Sequence, residues 1–134
     1  YPAIGNAATQ GQMEAAAQTD VYVSPGRQQY HPSAAKFWVI FTGNSTTILA
    51  SYNMTSITDG TTEATVTIAT DFSSASWCCL ATATGTATTA AASRHTTARA
   101  IAAGTIIVFC TDAGATPALA DPTQWMVAGF GDQA

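Results

Sequence analysis

Few side chains in this chain could do chemistry. There are four basic residues, Arg27, Lys36, Arg94 and Arg99, and eight acids, Glu14, Asp20, Asp59, Glu63, Asp71, Asp112, Asp121 and Asp132. Arg94 and His95 stand side by side within a stretch of Thr and Ala, with Arg99 close behind. Asp112 opens a later segment broken by Gly114, Pro117 and Pro122. Arg94, His95, Arg99 and Asp112 are therefore the candidate receptor-binding residues, polar groups on loops that could read a glycan or an anionic surface. The competing reading pairs Arg94 and Arg99 with carboxylates of a neighbouring subunit.

Catalysis finds less support. Glycoside cleavage needs two facing carboxylates. Asp59 and Asp71 instead fall at turns, and Glu63 falls on the polar side of a strand, so their expected work is turn formation and solubility. His31 and His95 are distant in sequence and suggest no metal site. The segment GNSTT lacks the glycine spacing and the lysine of a phosphate loop. The run Ala75-Ser76-Trp77-Cys78-Cys79 is not a CxxC motif, and no nucleophile elbow is present. The expectation is no enzyme, no catalytic residues, no metal and no cofactor.

The elements that must position these residues read as strands joined by turns. Residues 36–41 are apolar on both faces, as in a strand covered on both sides by a sandwich core or a neighbouring subunit. Residues 47–54 continue extended. Asp59-Gly60 is the strongest turn signal, because both residue types tolerate positive φ. Residues 63–70 alternate, with Ala64, Val66 and Ile68 on one face and Glu63, Thr65 and Thr67 on the other. Residues 77–83 form a strand with Trp77, Cys79 and Ala81 on one face, and Trp77 and Trp125 are expected in the core. A loop is expected at 85–89, then extended chain at 96–102, a strand at 105–111, a long loop at 112–123 and a last strand at 124–130. Earlier, Thr9 caps a short helix that runs to residue 17 and carries Met13, Ala16 and Ala17 on one side. Residues 21–23 read as a short strand ended by the turn Ser24-Pro25-Gly26, and His31-Pro32-Ser33 is a second break. The predicted fold class is all-β: an antiparallel β-sandwich, jelly-roll or lectin-like, behind an N-terminal connector at 1–33 made of a short helix and an extended segment. The sandwich domain spans 34–134.

Composition adds an oligomer. Of the 134 residues, 9% are charged and 47% hydrophobic, with 28 Ala and 23 Thr. An isolated soluble domain ordinarily disperses itself with more charge, so much of this surface is expected to face other subunits. The net charge of −4 argues against nucleic acid, and no apolar run suggests membrane insertion. Three cysteines do not make a complete set of intrachain pairs, and Cys78 and Cys79 face opposite sides of a strand. Free, buried thiols are the expectation, in keeping with assembly in a reducing bacterial cytoplasm. The start, Tyr1-Pro2-Ala3, is neither an initiator nor a signal peptide, as expected of a fragment or C-terminal piece.

Two stretches carry a family resemblance. AATQGQMEAA followed by TDVYVSPGRQQYHPSAAKFWVIF resembles a segment of phage and prophage tail-fibre proteins. SYNMTSITDGTTEATVTIATDFSSASWCC resembles a fibre pattern that matches Ser51, Asn53, Ser56, Ile57, Thr58 and Asp59, then Thr65, Val66 and Ile68. Ala64 and Ile68 stand where that pattern has Tyr and Phe. The resemblance covers about residues 7–80, and residues 82–134 are similar more loosely to small lectin-like fibre tips. It implies a structural, trimeric virion protein that attaches to the host surface, reaches other phage proteins through 1–33, and meets a glycan through loops such as 85–95 and 112–123. A capsid head fibre, spike or decoration protein is the alternative with the same location, and a polysaccharide depolymerase is the alternative of another class.

Overall fold

The computed structural model describes residues 5–17, 19–43, 45–85 and 94–133. The chain folds as an all-β sandwich of two four-stranded antiparallel sheets. Its strands are β1 (Phe37–Thr42), β2 (Ile48–Tyr52), β3 (Met54–Asp59), β4 (Glu63–Ile68), β5 (Cys78–Thr84), β6 (Arg94–Ala102), β7 (Thr105–Asp112) and β8 (Gln124–Phe130). The first sheet has the order β2-β1-β8-β5 and the second β3-β4-β7-β6. Hairpins β1–β2, β3–β4 and β6–β7 stay within a sheet, and the other connections cross between sheets.

Strict alternation places the core. Phe37, Val39 and Phe41 of β1, Ala64, Val66 and Ile68 of β4, Ile106, Val108 and Cys110 of β7, and Trp125 and Val127 of β8 all point inward and are buried. At one end Phe72 stacks on Trp77 with centroids 4.4 Å apart, while Phe37 meets Trp77 edge-on at 5.7 Å. Gly129 makes room for this cluster, since a Cβ there would press into the Phe37 and Trp77 rings. At the other end Phe41 stacks beside Trp125.

Two turns differ from expectation. The extended run after residue 47 is two strands in different sheets, divided at Asn53 with φ 55°. Asparagine tolerates this left-handed state, and its side chain fixes the crossover. Asn53 Nδ2 donates to Lys36 O at 2.9 Å, and its Oδ1 accepts from Thr70 N at 2.9 Å. The β3–β4 turn forms where expected but is centred on Thr61-Thr62: Gly60 N donates to Glu63 O at 2.7 Å, and Asp59 pairs with Ala64. The described left-handed residues are Ala16, Thr46 and Asn53, so Asp59-Gly60 precedes the tip without using positive φ.

The N-terminal helix α1 is Gln10–Ala15, capped by Thr9 in a reciprocal box with Gln12. It ends two residues before the expected limit because Ala16 turns left-handed; Met13 is buried, while Ala16 and Ala17 are exposed. Residues 21–23 do not make a strand. Only Tyr22 bridges, to Ala7, because the neighbouring chain runs alongside for a single pair. The Ser24-Pro25-Gly26 turn opens a 3-10 helix, Pro25–Tyr30, with Pro at its first position.

Candidate functional site

The outer faces of the two sheets have different chemistry, and register determines what each presents. On the first sheet, Tyr52 of β2 pairs with Trp38 of β1, Trp38 with Ala128 of β8, and Ala128 with Leu80 of β5. The next row is Ala50, Ile40, Met126 and Thr82. Trp38 is 40% exposed, Tyr52 45% and Leu80 56%. Small Ala128 lies low between Trp38 and Leu80, so the face carries a shallow groove floored by Ala128 and Met126 and walled by Trp38, Ile40, Leu80 and Thr82. The four strands of this sheet contain no Asp, Glu, Lys or Arg.

The second sheet carries all the ionic strand residues: Asp59, Glu63, Arg94, Arg99 and Asp112. Its outer rows run Thr58, Thr65, Ile107, Arg99 and then Glu63, Phe109, Thr97. Half-buried Ile107 and Phe109 are thus ringed by threonine hydroxyls and charge. This is a wettable surface of the usual antiparallel kind.

The four candidate receptor residues divide between the two sides of β6 and β7. His95 and Arg99 are exposed on the outer face of β6, four residues and about 13 Å apart along the strand. Arg94 points the other way and sits opposite Asp112 at the end of the β6–β7 ladder. Asp112 Oδ1 accepts from Gly114 N at 3.3 Å and Ala118 N at 3.2 Å, so its carboxylate shapes the following loop. Of the two proposed attachment loops, residues 86–93 lie outside the described residues. The 112–123 loop folds back, with Thr111 bridging Leu119. Trp125 takes the core position expected of it, and Trp77 packs half-buried against the core.

All three thiols are free, but only Cys110 is buried; Cys78 is exposed on the outer face of β5 and Cys79 half-buried beneath it. Adjacent strand positions forced that split, so burial fails as a common description of the three. Burial raises the Cys110 thiol above its ordinary value, with Arg94 opposing and Asp121 adding to the rise. Its Sγ lies 2.9 Å from Ala120 O.

Lys36, which the sequence reading placed in the apolar run 36–41, fastens the N-terminal segment to the sandwich. It is 2% exposed. Its backbone N donates to Gly129 O at 2.8 Å, while its ammonium donates to Gln29 O and, at 3.1 Å, to His31 O. Desolvation lowers its pKa, partly offset by Asp132 and Glu14. The outward row of Tyr52, Trp38 and Leu80 also escaped the sequence reading. Alternation in β1 signalled Trp38, but which residues lie beside it depends on strand order, which no local pattern carries.

Among the described residues no group of His, Cys, Asp and Glu could hold a metal ion, and no helix is long and apolar enough to cross a membrane. The chain matches no protein-family model, no curated protein and no solved structure.

Proposed function

We propose that this chain is a non-enzymatic structural module of a tailed-phage particle that assembles as a homo-oligomer, a trimer, and contacts the host surface. The observation that carries this reading is the separation of charge. One sheet turns an uncharged face with a tryptophan, a tyrosine and a leucine exposed toward the outside, and the other turns out hydroxyls and ions. The groove half of that face, around Ile40, Leu80 and Met126, supports a protein-contact surface, and a partner without charge is what it accepts. A second copy offers that chemistry, and closed symmetry uses each copy's patch once. The resemblance of residues 7–80 to tail-fibre segments leads to the same class. In this reading the first 33 residues join the module to other particle proteins, Lys36 transmits that attachment to the sandwich, and the working location is the virion.

The test is the solution mass of the 134-residue chain, with binding of the labelled protein to intact candidate host cells. A trimer that binds cells supports fibre attachment. A trimer that binds no cell tested moves the role to a head fibre or decoration protein. A monomer contradicts the assembly reading.

A further inference from the structure

Where the first sheet meets the N-terminal turn, the chemistry changes again. Trp38 and Tyr52 are direct cross-strand partners on the outer face, so their Cβ atoms are roughly 5 Å apart. Both residues are exposed on that face, at 40% and 45%. The 3-10 helix runs beside it and brings Gln28 and Gln29 to the rim of a cleft of about 360 Å³ that includes both rings. A smaller recess lies on the far side of the Tyr52–Gln29 contact, with Asn53 and Gln133 in its wall.

We infer that this cleft is a binding site for a neutral saccharide unit, with the sugar's apolar face on Tyr52 and Trp38 and its hydroxyls on the Gln28 and Gln29 amides. The inference deepens the adhesive reading above and rests on it for the source of the sugar, a cell surface. The cleft itself stands on its geometry. A sugar ring has one apolar face and a rim of hydroxyls, each both donor and acceptor. It needs an amphipathic ring surface and side chains that give and take a hydrogen bond, which the primary amide does from adjacent atoms.

The turn is preorganised for this. Gln28 O accepts from His31 N at 3.2 Å, and Gln29 O accepts from the Lys36 ammonium. Those bonds use the main-chain carbonyls and leave the side chains available. Neither the Gln28 amide nor Gln29 Nε2 has a hydrogen-bond partner among the described residues. Gln29 Oε1 accepts from Tyr52 Oη at 3.5 Å, a long bond that a ligand hydroxyl can replace.

The cleft selects against charge. The Lys36 ammonium is buried and spent on carbonyls. Arg27, the remaining cation of the turn, sits over the Tyr30 ring at 5.9 Å rather than in the cleft. Trp38 walls both this cleft and the apolar groove. A neighbouring subunit seated over Ile40, Leu80 and Met126 leaves the cleft open where its edge stops at the groove side of Trp38, with Tyr52 and both glutamines beyond that edge. Each copy in an oligomer would present one such site, so weak single-site binding would gain by multivalency.

The experiment titrates the full chain with cellotriose, chitotriose, a trimer of galacturonic acid and a proline-rich decapeptide. The Trp38 indole N–H resonance is followed by NMR, and solution mass is recorded on the same samples. A saturable shift with one of the two neutral sugars is expected. Tyr52→Ala and Gln29→Ala should each weaken it by about tenfold, with circular dichroism unchanged. No shift with either neutral sugar overturns the inference. So does a shift that survives both substitutions, or a preference for the uronic trimer or the peptide. Sugar binding by a monomer would support the cleft and count against assembly alone, whereas assembly without sugar binding would count against the cleft alone.

Discussion

The two sheets share one core and one strand chemistry inside, yet turn opposite surfaces to the outside. In the second sheet, each outward row carries threonine, and most add a charged or imidazole side chain, as in Thr58-Thr65-Ile107-Arg99. In the first, the matching row is Tyr52-Trp38-Ala128-Leu80. Burial inside a subunit explains the inward phenylalanines of the first sheet and the inward Val66, Ile106 and Val108 of the second, but gives no reason for an outward tryptophan beside an outward leucine. The difference teaches that the sparse charge is not spread thinly: it is withheld from one face. In the proposed assembly, the few ions stay on the face that meets water and are left out of the face offered to a second copy.

The comparison rests on the sheets folding as a unit, and the largest effect should come from the core that joins them. Phe37→Ala removes the ring that meets Trp77 and Phe72. It should cost about 3–5 kcal/mol in urea unfolding followed by circular dichroism, in a single transition. Two transitions would mean that the sheets are separable and their contrast incidental.

Next comes the attachment of the N-terminal segment. Lys36→Met leaves the Gln29 and His31 carbonyls without their donor and should cost about 1–3 kcal/mol, with faster proteolysis near residues 25–34. The pH dependence has a definite sign. Burial lowers the folded pKa of Lys36 below its ordinary 10.5, so the unfolded chain binds more protons in the interval between the two values. Wild-type stability therefore gains over that of the Met variant as pH rises toward 10.5. Asn53→Ala puts alanine at φ 55° and deletes the side-chain bonds to Lys36 O and Thr70 N. It should cost about 1–2 kcal/mol, with most of the loss at the crossover between the sheets by hydrogen exchange.

The smallest effect separates the outside of the first sheet from its inside without changing the sequence. An aromatic disulfide reagent should modify Cys78 first, Cys79 later, and Cys110 only when the chain unfolds, because exposure falls in that order and the Cys110 thiol is held protonated. Rapid labelling of Cys110 in the native protein would contradict its place in the core.

Much of the sandwich was legible because its signals are local. Period-two alternation located β4, the runs 105–111 and 124–130 read as the strands that became β7 and β8, and Thr9 as a cap marked the start of α1. What escaped depends on partners. Residues 47–54 look uniformly extended, and only the Asn53 bonds to Lys36 and Thr70 show that the chain changes sheets there. Residues 21–23 have strand composition, but a strand also needs a neighbour. Arg94 and His95 looked like one site because they are adjacent, although neighbours on a strand face opposite ways. Tyr52 and Trp38 are 14 positions apart and form one surface solely through β1–β2 register.

The most direct measurement is a paired mass determination by analytical ultracentrifugation, placing the same arginine on each outer face. Leu80→Arg puts a charge on the apolar groove, and Thr65→Arg puts one on the hydroxyl face. Wild type and Thr65→Arg are expected to sediment as the same oligomer, three times the 13.7 kDa chain, and Leu80→Arg as a folded single chain. An oligomer that survives Leu80→Arg but dissociates with Thr65→Arg would contradict the assignment of the assembly face to the first sheet.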